Sequence, residues 1–352
     1  MRSLAVFTLA TLLAGAWTGV PSRAGEPASW PRDWPVYRHV VIVVEENKDY
    51  DQIIDNPAAP YINRVLRTEG ANFTRMYGEE HFSEGNYFWL LSGSNQDVGY
   101  FDEIPPGSID KPSLGGQLFG LHPKEGRSFR GYAEDLPGAG SLVERNGHYA
   151  RKHVPYVSFL DLQRDGRDRL VNLPFTAFPT RPEQFDELPT VAMVIPNLMN
   201  DMHGDKDKDI VIPDENGWIH RGDTWLREHL DPYYQWAKQH NSLLIVTFDE
   251  NTDSTGYVGP TNPALGPNSL GPNPSYETTR ALRVAENRIP TLFAGAHVNP
   301  GDYTEGKGIT HVNLLRTLEA MYGLPRLGAQ QVNAAHFGID DHFIWDVFSK
   351  AK

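Results

Sequence analysis

Four short apolar runs, at residues 40–44, 190–195, 243–248 and 289–294, constrain this chain more than any other feature of its sequence. Each is rich in Val, Ile, Leu or Phe and lacks the polar alternation of a half-exposed strand. Each therefore reads as a buried strand of a parallel sheet. Helical patterns separate them. One runs from Pro60 to Thr68 and stops at Gly70. A second begins at Asp223 or Thr224 and carries Trp225, Leu226, Leu230, Tyr233 and Trp236. A third is capped by Thr310, stripes Leu314, Leu315, Leu318 and Met321 along one face, and ends at Gly323. Strands alternating with helices predict an α/β fold, a mostly parallel central sheet with helices on both faces and loop insertions.

With 352 residues and 8 Trp, 15 Tyr and 16 Phe, the chain can bury a large core and does not read as disordered. The formal net charge of −13 gives no generic attraction to nucleic acid or anionic lipid. No cysteine is present, so disulfides, thiolate metal sites and a Cys nucleophile are excluded. The start reads as a secretory signal peptide over residues 1–24: Met1-Arg2 is basic, the run from Leu4 to Val20 is apolar or small, and Ser22 and Ala24 flank a cleavage position. No later run is long enough to span a bilayer, and no lipid-bearing cysteine is available, so the expectation is an exported protein, periplasmic or secreted, without a membrane anchor. Residues 251–285 read as an inserted loop, poor in apolar side chains to about Pro274 and holding two Gly-Pro-rich near-repeats there, which is either a disordered excursion or a lid over the site.

Polar residues gather where the strands end, which is where open α/β sheets build their sites. The first run leads into Glu45-Glu46-Asn47 and the third into Asp249-Glu250-Asn251. The second is followed by Asn197, Asn200, Asp201 and His203, and the segment after the fourth leads to His311. Carboxylates, amides and imidazoles from four separate segments suit one or two divalent cations, with zinc, calcium, magnesium and manganese all compatible. A further element, His81-Phe-Ser83-Glu-Gly-Asn86-Tyr87, opens a helix that ends at Gly93. Ser83 there is either an ordinary N-cap or a nucleophile facing a phosphate at a helix N-terminus. No Gly-x-Ser-x-Gly elbow activates it, so metal coordination would have to.

The stretch His39-Val-Val-Ile-Val-Val-Glu-Glu-Asn-Lys-Asp-Tyr-Asp51 resembles the opening motif of the bacterial phosphoesterase family, which holds secreted acid phosphatases and phosphocholine-type phospholipases C within the alkaline phosphatase superfamily. The likeness continues in order through His81–Ser94, Gly131–Asp135, Tyr149–Pro155, Ile195–His203, Ser242–Glu250, Arg288–Gly295 and His311–Gly323, with Phe82 and Gly85 standing where the family usually has proline. The resemblance implies an alkaline-phosphatase-like fold and one phosphoesterase domain over residues 25–352. It implies Ser83 as the residue that becomes phosphorylated, Asn86 as a phosphoryl contact, and His81 and His153 as further active-site histidines. It implies Glu46, Asn47, Asp249 and Glu250 as metal ligands on the nucleophile side, and Asp201, His203 and His311 on the opposite side. The expected activity is metal-dependent hydrolysis of phosphomonoesters through a phosphoserine, on a small phosphate-ester substrate. A phosphodiesterase or phospholipase C acting on phosphocholine-type esters is the alternative, and a non-catalytic phosphate-binding relative ranks behind both.

Overall fold

The computed structural model describes residues 29–98, 102–121, 127–205, 214–252, 287–304, 308–331, 334–335 and 338–351. The expected signal peptide and nearly all of the expected insertion at 251–285 lie outside the described residues. The central sheet has eight strands: β1 (His39–Glu45), β2 (Ala71–Phe73), β3 (Phe129–Ala133), β4 (Asn172–Pro174), β5 (Val191–Ile195), β6 (Ser242–Phe248), β7 (Thr291–Gly295) and β8 (Gly301–Tyr303). Their spatial order is β8-β2-β7-β6-β1-β5-β3-β4. Every residue of β1, β5 and β6 is buried, as a sheet covered on both faces requires.

The five strands from β6 to β4 run parallel. The fourth apolar run departs from expectation. It was expected as one parallel strand over 289–294, but Pro290, which has no N–H to give, divides it. Arg288–Ile289 joins a small side sheet with Met76–Tyr77 and Ile309–Thr310, and β7 enters the central sheet antiparallel to both β6 and β2. A wholly apolar run states burial but carries no sign of direction. The chain therefore leaves β7 at the far end of the sheet and returns along β8, which runs parallel to β2, before it reaches residue 311.

Three helices frame the site: α1 (Ser83–Ser92), α2 (Glu215–Ala237) and α3 (His311–Tyr322). All ten residues of α1 are buried, and the helix closes on Gly93 in the left-handed region (φ 62°), where an added Cβ would lie 2.4 Å from the Leu327 carbonyl. Capping of α3 follows the sequence: Thr310 and Asn313 form a capping box, and Gly323 closes the helix at φ 63°. The start of α2 differs from the expected Asp223 or Thr224. Its cap is Asp214, whose side chain accepts from the Gly217 N–H at 2.9 Å, and the first turns are polar enough to hide the helical period. Asp223 sits mid-helix and caps a neighbour instead, accepting the N–H groups of Tyr61 and Ile62 at 2.9 and 2.8 Å. No helix among the described residues is long and apolar enough to cross a membrane.

Candidate active site

Register builds the site. Glu45 of β1 lies level with Phe248 of β6, so Glu46 and Asp249 leave adjacent parallel strands side by side. Two further bonds extend the ladder past the strand ends: Asp249 N–H donates to the Glu45 carbonyl at 3.1 Å, and Glu46 N–H donates to the Asp201 carbonyl at 2.8 Å. Residues separated by about 200 positions in the chain are thus fixed within one hydrogen bond of each other.

Ser83 is the first residue of α1, and Phe82 occupies the cap position at φ 88°. That conformation is rare for an aromatic residue and closed to proline. The Phe82 N–H donates to Glu250 Oε2 at 2.8 Å, a bond proline could not make. Ser83 does not cap the helix. Its hydroxyl donates to Glu46 Oε2 at 3.0 Å, while the hydroxyl of Tyr87, one turn along, donates to Glu46 Oε1. His153 stacks on the Tyr87 ring, with Nε2 3.3 Å from Glu46 Oε1 and Nδ1 3.5 Å from Asp201 Oδ2. Asn47 bridges to the acidic pair: its N–H donates to Asp249 Oδ1 at 3.0 Å and its side-chain amide to Glu250 Oε1 at 3.3 Å. His81 Nδ1 lies 3.0 Å from Glu250 Oε2. His203, whose N–H donates to Asp201 Oδ1 at 2.9 Å, faces His153 edge-on.

The charge balance of this cluster is unusual. Glu46, Asp201, Asp249 and Glu250 are buried together, and burial, followed in most of them by the fields of neighbouring carboxylates, holds each carboxyl above its ordinary range. Glu45, on the opposite side of β1 and fully buried, is pushed up by the same causes, and neither of its oxygens has a hydrogen-bond partner. Burial drives His153 the other way, well below the usual imidazole range, so it is neutral. Uncompensated buried carboxylates cost several kcal/mol each, on the order of the effective desolvation penalty per ion. A cluster of this kind needs protons or a cation.

The unpartnered atoms are of the chemical type that holds a cation. Asn47 Oδ1, Asp201 Oδ2, Asp249 Oδ2 and His153 Nε2 are buried and without a hydrogen-bond partner. Hard oxygens with one imidazole match divalent metals. Among the described residues no three His, Asp or Glu side chains already converge at ligand spacing, because Glu46 and Glu250 turn toward Ser83, Tyr87, Asn47 and Phe82.

Two residues expected at the site have other partners. Asn86 is buried, and its amide holds the loop before α1: Oδ1 accepts from the N–H groups of Glu79 and Glu80 at 3.0 and 3.1 Å, and Nδ2 donates to the Glu80 carbonyl at 2.6 Å. His311 is buried with both ring nitrogens engaged, Nδ1 with Glu79 Oε2 at 2.6 Å and Nε2 with the Phe248 carbonyl at 2.8 Å. It pins the start of α3 to the end of β6. Sequence reasoning also missed three neighbours of these groups: Tyr87, Glu79 and Glu45. Tyr87 had a readable signal, since it lies four residues after Ser83 on the same helical face. Glu79 had none.

The family model for the phosphoesterase family matches residues 55–325. A phosphatidylinositol-3-phosphatase of Mycobacterium tuberculosis is 40% identical over 328 residues, covering 93% of this chain and 90% of the relative. A phosphate-repressible acid phosphatase of Penicillium chrysogenum is 27% identical, over 80% of this chain and 58% of that protein. Among solved structures, an alkaline phosphatase superfamily protein from Vibrio parahaemolyticus superposes with a TM-score of 0.51 at 14% identity, over 85% of this chain and 69% of that one. The lipoteichoic acid synthase LtaP from Listeria monocytogenes gives 0.53 at 13% identity, over 88% and 79%. At such low identity these two matches speak for the fold alone. With most of its length under the family model and a named phosphatase aligned nearly end to end, the chain belongs to the phosphoesterase family, hydrolases of phosphoric esters.

Proposed function

We propose that this enzyme is an exported, metal-dependent phosphomonoesterase of acid-phosphatase type, which hydrolyses phosphate monoesters through a phosphoserine at Ser83. The observation that carries the reading is the Ser83 hydroxyl, donating to Glu46 at 3.0 Å where α1 begins, amid buried carboxyls of which Asp201 and Asp249 each keep an oxygen without a hydrogen-bond partner. The phosphatase relatives support it, and the name of the mycobacterial one brings a lipid-borne phosphomonoester into the substrate class.

Glu46, Asn47, Asp201, Asp249 and Glu250 would hold the cation. When bound, it supplies Lewis-acid charge that lowers the pKa of a hydroxyl and offsets charge on phosphoryl oxygens. Ser83 Oγ attacks phosphorus in line, and its proton passes to Glu46 Oε2. The Oγ–P bond forms while the P–O bond to the alcohol breaks, and the alcohol takes its proton from water. Neutral His153 then accepts a proton from a water that attacks the phosphoserine; the Oγ–P bond breaks, Ser83 recovers its proton from Glu46, and His153 returns its proton to the hydroxide left when the alcohol was protonated. Tyr87 holds Glu46 in position for both transfers. Asn86 and His311 act one layer back, by fixing the loop and the helix that frame Ser83.

The test is turnover of nitrophenyl phosphate and of a short-chain phosphatidylinositol 3-phosphate by wild type and Ser83→Ala, each after chelation and after add-back of zinc, calcium, magnesium or manganese. Metal-restored turnover that falls at least about a thousandfold in the variant, with the melting temperature unchanged, is expected. Near-normal turnover by Ser83→Ala removes Ser83 as nucleophile.

A further inference from the structure

Lys152 stands beside this site on the short helical turn Arg151–His153, adjacent in sequence to the imidazole that faces Glu46 and Asp201. Its ammonium is 2.8 Å from Asp102 Oδ2, and Asp102 Oδ1 accepts the N–H of Glu84, the residue after Ser83, at 3.0 Å. A lysine, an aspartate and the first turn of the nucleophile helix thus form one bracket. Glu84 anchors its other end by accepting the Ile104 N–H at 2.8 Å.

The second lysine near the cluster has no such freedom. Lys48 is buried, and its ammonium is tied to Glu215 at 2.8 Å and to the Asn47 carbonyl at 3.0 Å. The Lys152 side chain keeps 20% exposure, against 4% for Lys48. Its field acts on Glu46, Asp201 and Glu250, the carboxyls around Ser83, and on His153 more strongly than that of Arg145, while the field of Arg151 reaches Glu84.

We infer that Lys152 is a specificity-determining residue that favours phosphomonoester dianions over phosphodiester monoanions, exchanging its Asp102 partner for the incoming phosphoryl group. The inference rests on the reading of Ser83 as the nucleophile. Its physical basis is the substrate's charge. A fixed cation stabilises a doubly charged group about twice as strongly, in free energy, as a singly charged one, so its removal costs about the square of the factor. A monoester loses its second charge below pH about 6, and the preference should shrink there.

The experiment measures kcat/KM for nitrophenyl phosphate and bis-nitrophenyl phosphate with metal-loaded wild type, Lys152→Met and Lys152→Arg between pH 5 and 8. Lys152→Met is expected to lose about a hundredfold on the monoester and about tenfold on the diester at pH 7.5. The monoester loss should relax toward tenfold by pH 5, and Lys152→Arg should restore most of the monoester rate. Because each comparison is a ratio between substrates in one variant, partial misfolding cancels. Equal losses on both esters, or a monoester loss that does not change with pH, overturn the role of Lys152 and leave the nucleophile intact. Retention of monoester turnover by Ser83→Ala under the same conditions would instead strike the reading beneath it.

Discussion

Two buried clusters of acid and histidine lie at the same end of the sheet, and they differ in how far their polar atoms are satisfied. Around Glu79 every polar partner is accounted for. Its Oε1 accepts the Val312 N–H at 3.0 Å, its Oε2 meets His311 at 2.6 Å, and the far side of the imidazole ends on the Phe248 carbonyl. Around Glu46 the same residue types leave Asn47 Oδ1, Asp201 Oδ2, Asp249 Oδ2 and His153 Nε2 without hydrogen bonds. The Glu79 pair is saturated, and the larger Glu46 cluster is not. A satisfied network fixes a fold, and a buried set of orphaned donors and acceptors has capacity left for a ligand.

The sharpest way to break this contrast is to remove one charge from the unsaturated cluster. Asp249→Asn keeps an oxygen for the Asn47 N–H and takes away a carboxyl that burial holds above its ordinary range. Turnover of nitrophenyl phosphate is expected to fall by about three orders of magnitude, while thermal stability without added metal stays level or rises. A marked fall in melting temperature would mean that Asp249 is a structural member like Glu79.

His311→Ala should do the reverse. It leaves Glu79 buried without its partner and frees α3 from the end of β6, at a cost of about 3–5 kcal/mol in a denaturant titration, while turnover per folded molecule stays within about tenfold. A loss of turnover as deep as that of Asp249→Asn, without a loss of stability, would move His311 back among groups that touch the substrate or its metal.

The smallest effect concerns Glu84, at the junction of the two kinds of environment. Burial raises its carboxyl to about 8. A carboxyl whose folded value lies above its unfolded value of about 4.5 favours folding in its neutral form. That contribution is whole below pH 4.5 and is lost as pH rises toward 8, at a limiting slope of about 1.4 kcal/mol per pH unit. Glu84→Gln should flatten stability against pH over that window and leave the variant more stable relative to wild type at pH 8 than at pH 5. Parallel pH profiles for the two proteins would show that Glu84 is charged in the folded state.

Much of the architecture could be read from the chain because burial on both faces leaves an unbroken apolar run, and β1, β5 and β6 are such runs. The short strands β2, β4 and β8 could not, since three residues are too few to carry a period. The direction of β7 was equally hidden, because hydrophobicity records depth and not polarity of the chain. At the site, acidic residues directly after strands were readable, and the parallel register brings Glu46 and Asp249 together. Partnership was not. Asn86 and His311 have the residue types of a phosphate or metal site, yet their hydrogen bonds go to the Glu79–Glu80 loop and the Phe248 carbonyl. For His311 only a neighbour distant in sequence decides that, and the Glu79-Glu80 pair gives no hint that one of them meets residue 311.

The pairing of β1 with β6 has a consequence for when this protein can act. No local stretch of the polypeptide holds even half of the reactive centre, so nothing resembling it exists in a nascent or partly collapsed molecule. Contacts that span some two hundred residues are among the last that a chain completes, since closing so large a loop must be offset before it is rewarded. Hydrolytic power therefore arrives in one step with the finished sheet, and a molecule still unfolded would carry its acids and its serine harmlessly apart.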